Sequence, residues 1–186
     1  MTTLTQHLNL GKPQTAGPLT VFPVFGPNPT LLYRSFAHAS ELGAFVKERD
    51  GRASVQDLVV TNPTDLPLLV YEGEEVLGAQ QNRTFDSSVL VAAGSKLTLD
   101  VSCVEEGRWD GSRHDELFEV SPQAADPSLR RAKRRTANDH AAAGLEARAD
   151  QGEVWDEVGN RLRAHAVDSV SLAMHDIYTA RGRAGS

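Results

Sequence analysis

The densest group of side chains able to do chemistry lies in residues 71–83, directly after the apolar run at 68–70. Three carboxylates, three side-chain amides and one guanidinium fall within this stretch. Amides offer paired donors and acceptors, and arginine offers a planar fork that matches carboxylate or phosphate. The pattern favours recognition of a small polar or anionic ligand, and the alternative is a buried polar network that locks a sheet crossover. The seven residues are Glu72, Glu74, Glu75, Gln80, Gln81, Asn82 and Arg83.

A second group follows a predicted strand over residues 96–104. Alternation along this strand places Val101 and Cys103 on its apolar face. We expect the thiol to be buried and unreactive, because reactive cysteines need an electropositive and partly exposed setting. Strand ends are common places for functional side chains on rigid scaffolds. The candidates here are Glu105, Arg108 and Trp109, and the alternative for the tryptophan is a lid over the sheet edge.

The two groups together predict one ligand site built by both segments. Glu75 or Glu105 is the candidate general base for catalysis. Arg83 or Arg108 would hold an anionic group. The candidates for ligand binding are Glu74, Gln80, Gln81, Asn82, Arg83, Arg108 and Trp109.

A competing hypothesis is a protein-interaction module without chemistry, whose polar groups are structural and whose helices dock a partner. The two hypotheses differ in geometry, because a ligand site requires both groups to converge on one concave pocket. The sequence leaves open whether the protein is an enzyme.

No metal or nucleic-acid site is predicted, and the sequence leaves the cofactor open. The six histidines are scattered and one cysteine cannot build a cysteine-based zinc site, so the remaining alternative is magnesium or calcium on the carboxylates of residues 72–86. The chain has no glycine-rich phosphate loop and no nucleophile elbow, and its cofactor is therefore unknown. The run 130–135 holds five basic residues, but a helix would distribute them around its axis, and the net charge of −6 argues against nucleic acid.

The length of 186 residues and the hydrophobic content of 40% predict an ordinary globular chain of about one domain. No apolar run reaches the roughly 20 residues that span a bilayer, so no membrane partner is expected. The N-terminal residues 1–7 lack the basic and apolar parts of a secretion signal. A single cysteine suits a reducing compartment, and we expect a cytoplasmic protein.

Turn residues and proline positions predict an α+β fold. Short apolar runs between turns predict an antiparallel β-sandwich or barrel-like sheet over residues 18–120. All nine prolines lie at or before Pro127, and the Ala- and Arg-rich sequence beyond predicts two or three helices over 121–180. Residues 1–17 and 181–186 are expected to be a flexible N-terminus and a frayed tail.

Two of the predicted helices have an apolar side. The repeats are Trp155, Val158 and Leu162 on one helix and Val170, Met174 and Ile177 on the last. A one-sided helix must bury its apolar side, and any part left exposed is a typical interface. The pattern therefore predicts self-association through the C-terminal helices or, as the alternative, a poorly ordered last helix.

The two polar segments also carry a family resemblance. The strings EGEEVLGAQQNR, which ends at Arg83, and VSCVEEGRW, which ends at Trp109, resemble the ARPP-1 family, the ARG and Rhodanese-Phosphatase-superfamily-associated Protein domain. This is a domain of unknown function, so the resemblance implies no mechanism. Its name implies association with ADP-ribosylglycohydrolases and rhodanese- or phosphatase-like proteins, and hence a link to nucleotide or ADP-ribose metabolism. Members that the chain resembles continue past Tyr178, so we expect a short or C-terminally truncated member.

Overall fold

The computed structural model describes residues 8–27, 30–51 and 54–184, with side chains to residue 181. The chain divides into two compact units, the first ending at Leu32 and the second beginning at Tyr33. The strands of the first unit are β1 (Asn9–Leu10), β2 (Gln14–Ala16), β3 (Leu19–Val21) and β4 (Val24–Phe25). β1 pairs with β4 and β2 pairs with β3, both antiparallel, so strands begin within the segment expected to be flexible.

The second unit is built on a closed barrel. Its strands in chain order are β5 (Arg34–Ser35), β6 (Phe45–Lys47), β7 (Asp57–Asn62), β8 (Leu68–Val70), β9 (Glu74–Gly78), β10 (Arg83–Phe85), β11 (Val89–Val91), β12 (Ser95–Cys103) and β13 (Phe118–Ala124). The barrel order is β10-β12-β7-β6-β13-β9, with all neighbours antiparallel, and β9 pairs back to β10. β11, β8 and β5 form a separate three-stranded sheet in which β5 and β8 run parallel.

The closed barrel confirms the predicted α+β fold and decides between the two sheet architectures. A sandwich was one of the two expectations and is wrong, because the pairing of Phe118 with Val46 joins the sheet's ends. Closure removes the open strand edges that a sandwich would leave. The barrel therefore has two ends, and side chains at either end can meet across its axis.

The barrel interior is filled by alternate residues of its strands. Phe36, at the start of helix α1 (Phe36–Glu41), packs edge-to-face against Phe85 with ring centroids 6.0 Å apart. Such pairs contribute about 1 kcal/mol beyond the burial of their area. The buried residues that the barrel strands contribute to this core are Val46, Leu58, Val60, Val76, Phe85, Leu99, Val101 and Phe118.

Three helices follow the barrel and form a second core. They are α2 (Pro127–Ala142), α3 (Gln151–Ala164) and α4 (Met174–Ala184). α2 begins where the sequence favours a start, because Pro127 occupies its first turn and the Asp126 carboxylate accepts from the Ser128 N–H. None of the described helices is long and apolar enough to cross a bilayer.

The apolar faces of these helices differ in detail from the predicted ones. α3 buries Val154 together with Val158 and Leu162, whereas Trp155 is only half-buried. α4 begins at Met174, so Val170 lies outside it and is exposed. Met174 and Ile177 are buried in the second core. The predicted apolar side is therefore covered at Met174 and Ile177 and exposed at Val170.

Candidate functional site

The two predicted polar groups lie side by side at one end of the barrel. β10 pairs with β12 so that Arg83 faces Cys103, and the segments beyond these two residues meet. The Asn82 N–H donates to Glu105 Oε2 at 3.1 Å, and the Gln81 amide donates to the backbone carbonyl of Glu105. The groups therefore converge, as a shared site requires.

Many of the polar groups that converge here form a network in which they hydrogen-bond to one another. Arg108 donates through Nη1 to the Ala79 carbonyl at 2.8 Å and through Nη2 to Asn82 Oδ1 at 3.0 Å. The same Nη2 lies 2.7 Å from Glu105 Oε2, and Glu105 Oε1 accepts from the Ser171 hydroxyl at 2.8 Å. Both carboxylate oxygens of Glu105 thus have partners within the chain, which supports a structural role.

The protonation of Glu105 follows from the same contacts. Burial alone would raise the pKa of this carboxyl, but hydrogen bonds from Arg108, Ser171 and the Asn82 N–H outweigh burial and lower it. The group is held as an anion. It stabilises the turn after β12 and is a poor proton acceptor in its present contacts.

Arg83 differs from Arg108 because it points into the barrel. Its side chain is 0% exposed, and Nη1 donates to the carbonyl and the side-chain oxygen of Gln81, both at 2.9 Å. Nε and Nη2 have no hydrogen-bond partner among the described residues. The guanidinium lies under the ring of Trp109, with its carbon 5.5 Å from the ring centroid. Burial lowers the pKa of Arg83, and a buried guanidinium with free donors is costly unless something accepts from it.

The counter-charge of Arg83 is Glu48, which the sequence did not single out. Glu48 directly follows β6, its side chain is 0% exposed, and its Oε1 lies 3.8 Å from Arg83 Nη2. That distance is too long for a hydrogen bond, and neither carboxylate oxygen has a partner in the described part of the chain. Burial raises the pKa of Glu48, against the opposing effect of Arg83 and His114. Both ends of the pair thus present unused polar atoms.

Glu48 of this pair also lines a cleft of about 290 Å³. The other lining residues are Lys47, Asp50, Gly51, His114 and Asp115. His114 Nδ1 lies 3.4 Å from Gln80 Nε2, and Gln80 Oε1 is buried without a partner among the described residues. Trp109, which lies over Arg83, is 50% exposed. We call Arg83, Glu48, Gln80, Trp109 and His114 the barrel-end site.

Cys103 lies in the barrel interior, on the face that the alternation predicted. It is fully buried, and its Sγ donates to the Val55 carbonyl at 3.5 Å. Burial raises the pKa of the thiol to about 11, against the opposing effect of Arg83. The predicted burial is confirmed, and the thiol is protonated at neutral pH.

Glu74 and Glu75 do not join the barrel-end site. Glu75 faces away from the barrel interior, because its neighbour Val76 fills the core. Its Oε2 accepts from Ser121 Oγ at 3.0 Å and lies 3.2 Å from His175 Nδ1 on α4. Burial raises the pKa of Glu75 in spite of these contacts. Glu74 Oε2 accepts from the backbone N–H of Tyr71 at 2.8 Å, at the far end of β9.

The structure thus splits the predicted site into three places. Gln80, Gln81 and Arg83 line or support the barrel end, Asn82, Glu105 and Arg108 form the adjoining network, and the two glutamates of β9 lie elsewhere. In the ranges 8–27, 30–51 and 54–184, no three His, Cys, Asp or Glu side chains come together as a metal ion requires.

Comparison with known proteins gives one match. The family model described as ARPP-1, ARG and Rhodanese-Phosphatase-superfamily-associated Protein domain, matches residues 7–185. No curated protein and no solved structure matches the chain.

Proposed function

The chain belongs to the ARPP-1 family, and we propose that it binds a small polar ligand at the barrel-end site. The observation that carries this proposal is the fully buried Arg83–Glu48 pair, whose facing polar atoms lack hydrogen-bond partners among the described residues. Glu48 of the pair lines a cleft of a size that suits a small metabolite.

The energetics of burial support a functional use of the pair. Removing two charges from water costs several kcal/mol for each ion, and only good geometry with further hydrogen bonds repays that cost. Here the ions are 3.8 Å apart and share no hydrogen bond. Apolar side chains would stabilise this end of the barrel better, so the pair is better explained by binding than by folding.

The chemistry of the pair defines what the ligand must carry. An acceptor such as a carboxylate, phosphate or carbonyl oxygen would take the free donors of Arg83. A hydroxyl, amine or amide N–H would donate to Glu48. Because both side chains are 0% exposed, His114, which lines the cleft with Glu48, must turn aside for the ligand, while Trp109 keeps the Arg83 guanidinium shielded from water.

A direct test is ligand-dependent thermal stability, since a ligand that binds only the native state raises its melting temperature. The family name supports a panel of AMP, ADP-ribose and sugar phosphates, with free amino acids as zwitterionic probes. We expect at least one probe to raise the melting temperature of the wild type. Failure of the whole panel at millimolar concentration would count against the proposal.

The matched variants are Trp109→Ala and Tyr71→Ala. Both residues are half-exposed aromatics over an arginine, but Tyr71 lies over Arg130 at the opposite end of β9. Trp109→Ala should weaken binding at least tenfold, while Tyr71→Ala should leave binding unchanged. Equal effects of the two substitutions would remove the barrel-end site from the proposal.

The Glu105–Arg108 network favours a second candidate, an interaction module whose polar groups serve structure alone. Every polar atom of the Glu105 carboxylate has an internal partner. On this alternative the same panel gives no response, and Trp109→Ala changes only stability. The two functions are therefore separated by the experiment above.

A further inference from the structure

A wide groove runs between α2 and α3, on the opposite side of these helices from the second core. Its volume is about 940 Å³. Arg131, Arg134, Arg135 and Asp139 line the α2 wall, and Glu153, Asp156 and Glu157 line the α3 wall. The groove therefore has one mainly basic wall, with three arginines against one aspartate, and one acidic wall.

Only some of these charged side chains form ion pairs within the chain. Arg135 pairs with Glu153 across the groove, and Arg134 turns away to pair with Glu72 at 2.8 Å. Arg131 and Asp156 are exposed and form no ion pair with any other described residue. Arg131 and Asp156 thus face the groove from opposite walls without an ion pair, and the groove carboxylates Asp139 and Glu157 also form none with the described residues.

We propose that this groove is the interface of a twofold-symmetric dimer of the chain. An isologous interface must be self-complementary, because the same patch contributes both sides. Rotation by half a turn about an axis along the groove places the basic wall of one copy over the acidic wall of the other. Arg131 of each copy then lies over Asp156 of the other. Rotation about an axis across the groove would instead place basic on basic, so the charge pattern selects the first arrangement.

The same pattern disfavours other occupants. A polyanion such as nucleic acid would meet the acidic α3 wall at close range, and a polycation would meet the α2 arginines. A second copy supplies matched charges on both walls. The groove walls are polar, so the dimer is expected to be weak and sensitive to salt.

Sedimentation velocity of the purified chain tests the first consequence. In about 50 mM NaCl the wild type should show a dimer whose population rises over about a hundredfold range of protein concentration. In about 0.5 M NaCl it should be monomeric, because salt screens exposed charges. A strict monomer at low salt would overturn the proposal.

Charge reversal at Arg131 and Asp156 tests the geometry. Arg131→Glu and Asp156→Lys should each shift the low-salt dimer at least tenfold toward monomer. An equimolar mixture of the two variants should form heterodimers, because each contact then joins opposite charges again. The double variant Arg131→Glu/Asp156→Lys should form homodimers for the same reason.

Arg163→Glu is the matched control, since Arg163 is exposed on α3 outside the groove. This variant should dimerise like the wild type. Dimers that persist in Arg131→Glu, or a mixture that stays monomeric, would show that the groove is not the interface.

Discussion

The guanidinium of Arg83 and the carboxylate of Glu48 lie 3.8 Å apart inside one end of the barrel, and neither side chain is exposed to solvent. Opposite charges at this distance attract, but they share no hydrogen bond, and the buried atoms between them have no other partner in the described structure. Such an arrangement is unfavourable for folding, but its unpaired polar atoms suit the binding of a ligand.

Glu105→Ala should destabilise the fold by about 3 kcal/mol, because it removes the partner of Arg108 and leaves the Asn82 N–H unpaired. The measurement is the free energy of urea unfolding. The neighbouring Glu106 is exposed, so Glu106→Ala is the control and should change stability by less than about 0.5 kcal/mol. Similar losses in both variants would argue against the network.

Glu75 should make stability fall as the pH rises. Its folded pKa is raised by burial above the ordinary 4.5, so the unfolded chain loses this proton first. The stabilising contribution is complete below about pH 4.5 and decreases as the pH rises through the folded pKa. The unfolding free energy of the wild type relative to Glu75→Gln should therefore decrease between pH 4.5 and neutrality.

The control for that comparison is a His175→Gln background, which removes the imidazole that contacts Glu75. The decrease should persist there, since burial is its main cause. A difference between wild type and Glu75→Gln that does not change with pH would contradict the raised pKa.

Lys133 should contribute to folding stability through its ion pair with Asp86. The ammonium is buried, its pKa is lowered by burial, and it donates to the Phe85 carbonyl at 2.9 Å. Lys133→Met should destabilise by about 3 kcal/mol, because it leaves Asp86 without its counter-ion. Adding Asp86→Asn should recover part of this loss, and a double-mutant cycle of urea unfolding measures the coupling.

Lys96→Met, at an exposed lysine of β12, is the control for Lys133→Met and should change stability by less than about 0.5 kcal/mol. Strict additivity of the Lys133 and Asp86 substitutions would show that the two side chains are not coupled.

Replacing Gly107 with any larger residue should destabilise the fold, because another backbone segment passes close to it. A Cβ atom here would lie 3.0 Å from Ser171 Cα, and the Gly107 N–H donates to the Ser171 carbonyl at 2.8 Å. Gly107→Ala should cost about 1–3 kcal/mol in thermal or urea unfolding. Gly111→Ala, where a Cβ atom meets open space, should be nearly neutral. Equal stability of the two variants would contradict the close approach.

The sequence predicted those parts of the site that depend on local order. Alternation along β12 correctly placed Cys103 on the buried face. The polar strings around Gln81 and Glu105 correctly marked two segments that meet. Both inferences need only the period of a strand and the position of its end.

The other parts of the site could not be predicted from local patterns, because they depend on contacts between residues that are far apart in the sequence. Glu48 follows a short strand near a turn, a position typical of solvent-exposed carboxylates, and only barrel closure buries it opposite Arg83. One local pattern could have identified it: Val46 and Glu48 share a face of the strand, and Val46 belongs to the core. The same period explains why Glu75 does not face the ligand site.

On the proposed function, Arg83 and Glu48 are kept for binding and not for stability. The most direct test is the urea unfolding free energy of the double variant Arg83→Met/Glu48→Leu. Each single substitution should destabilise by about 3 kcal/mol, because it leaves one buried charge without its partner. The double variant should be as stable as the wild type or more stable by up to about 4 kcal/mol, because apolar side chains then fill the barrel end. A double variant several kcal/mol less stable than the wild type would show that the pair holds the fold together and would contradict the claim.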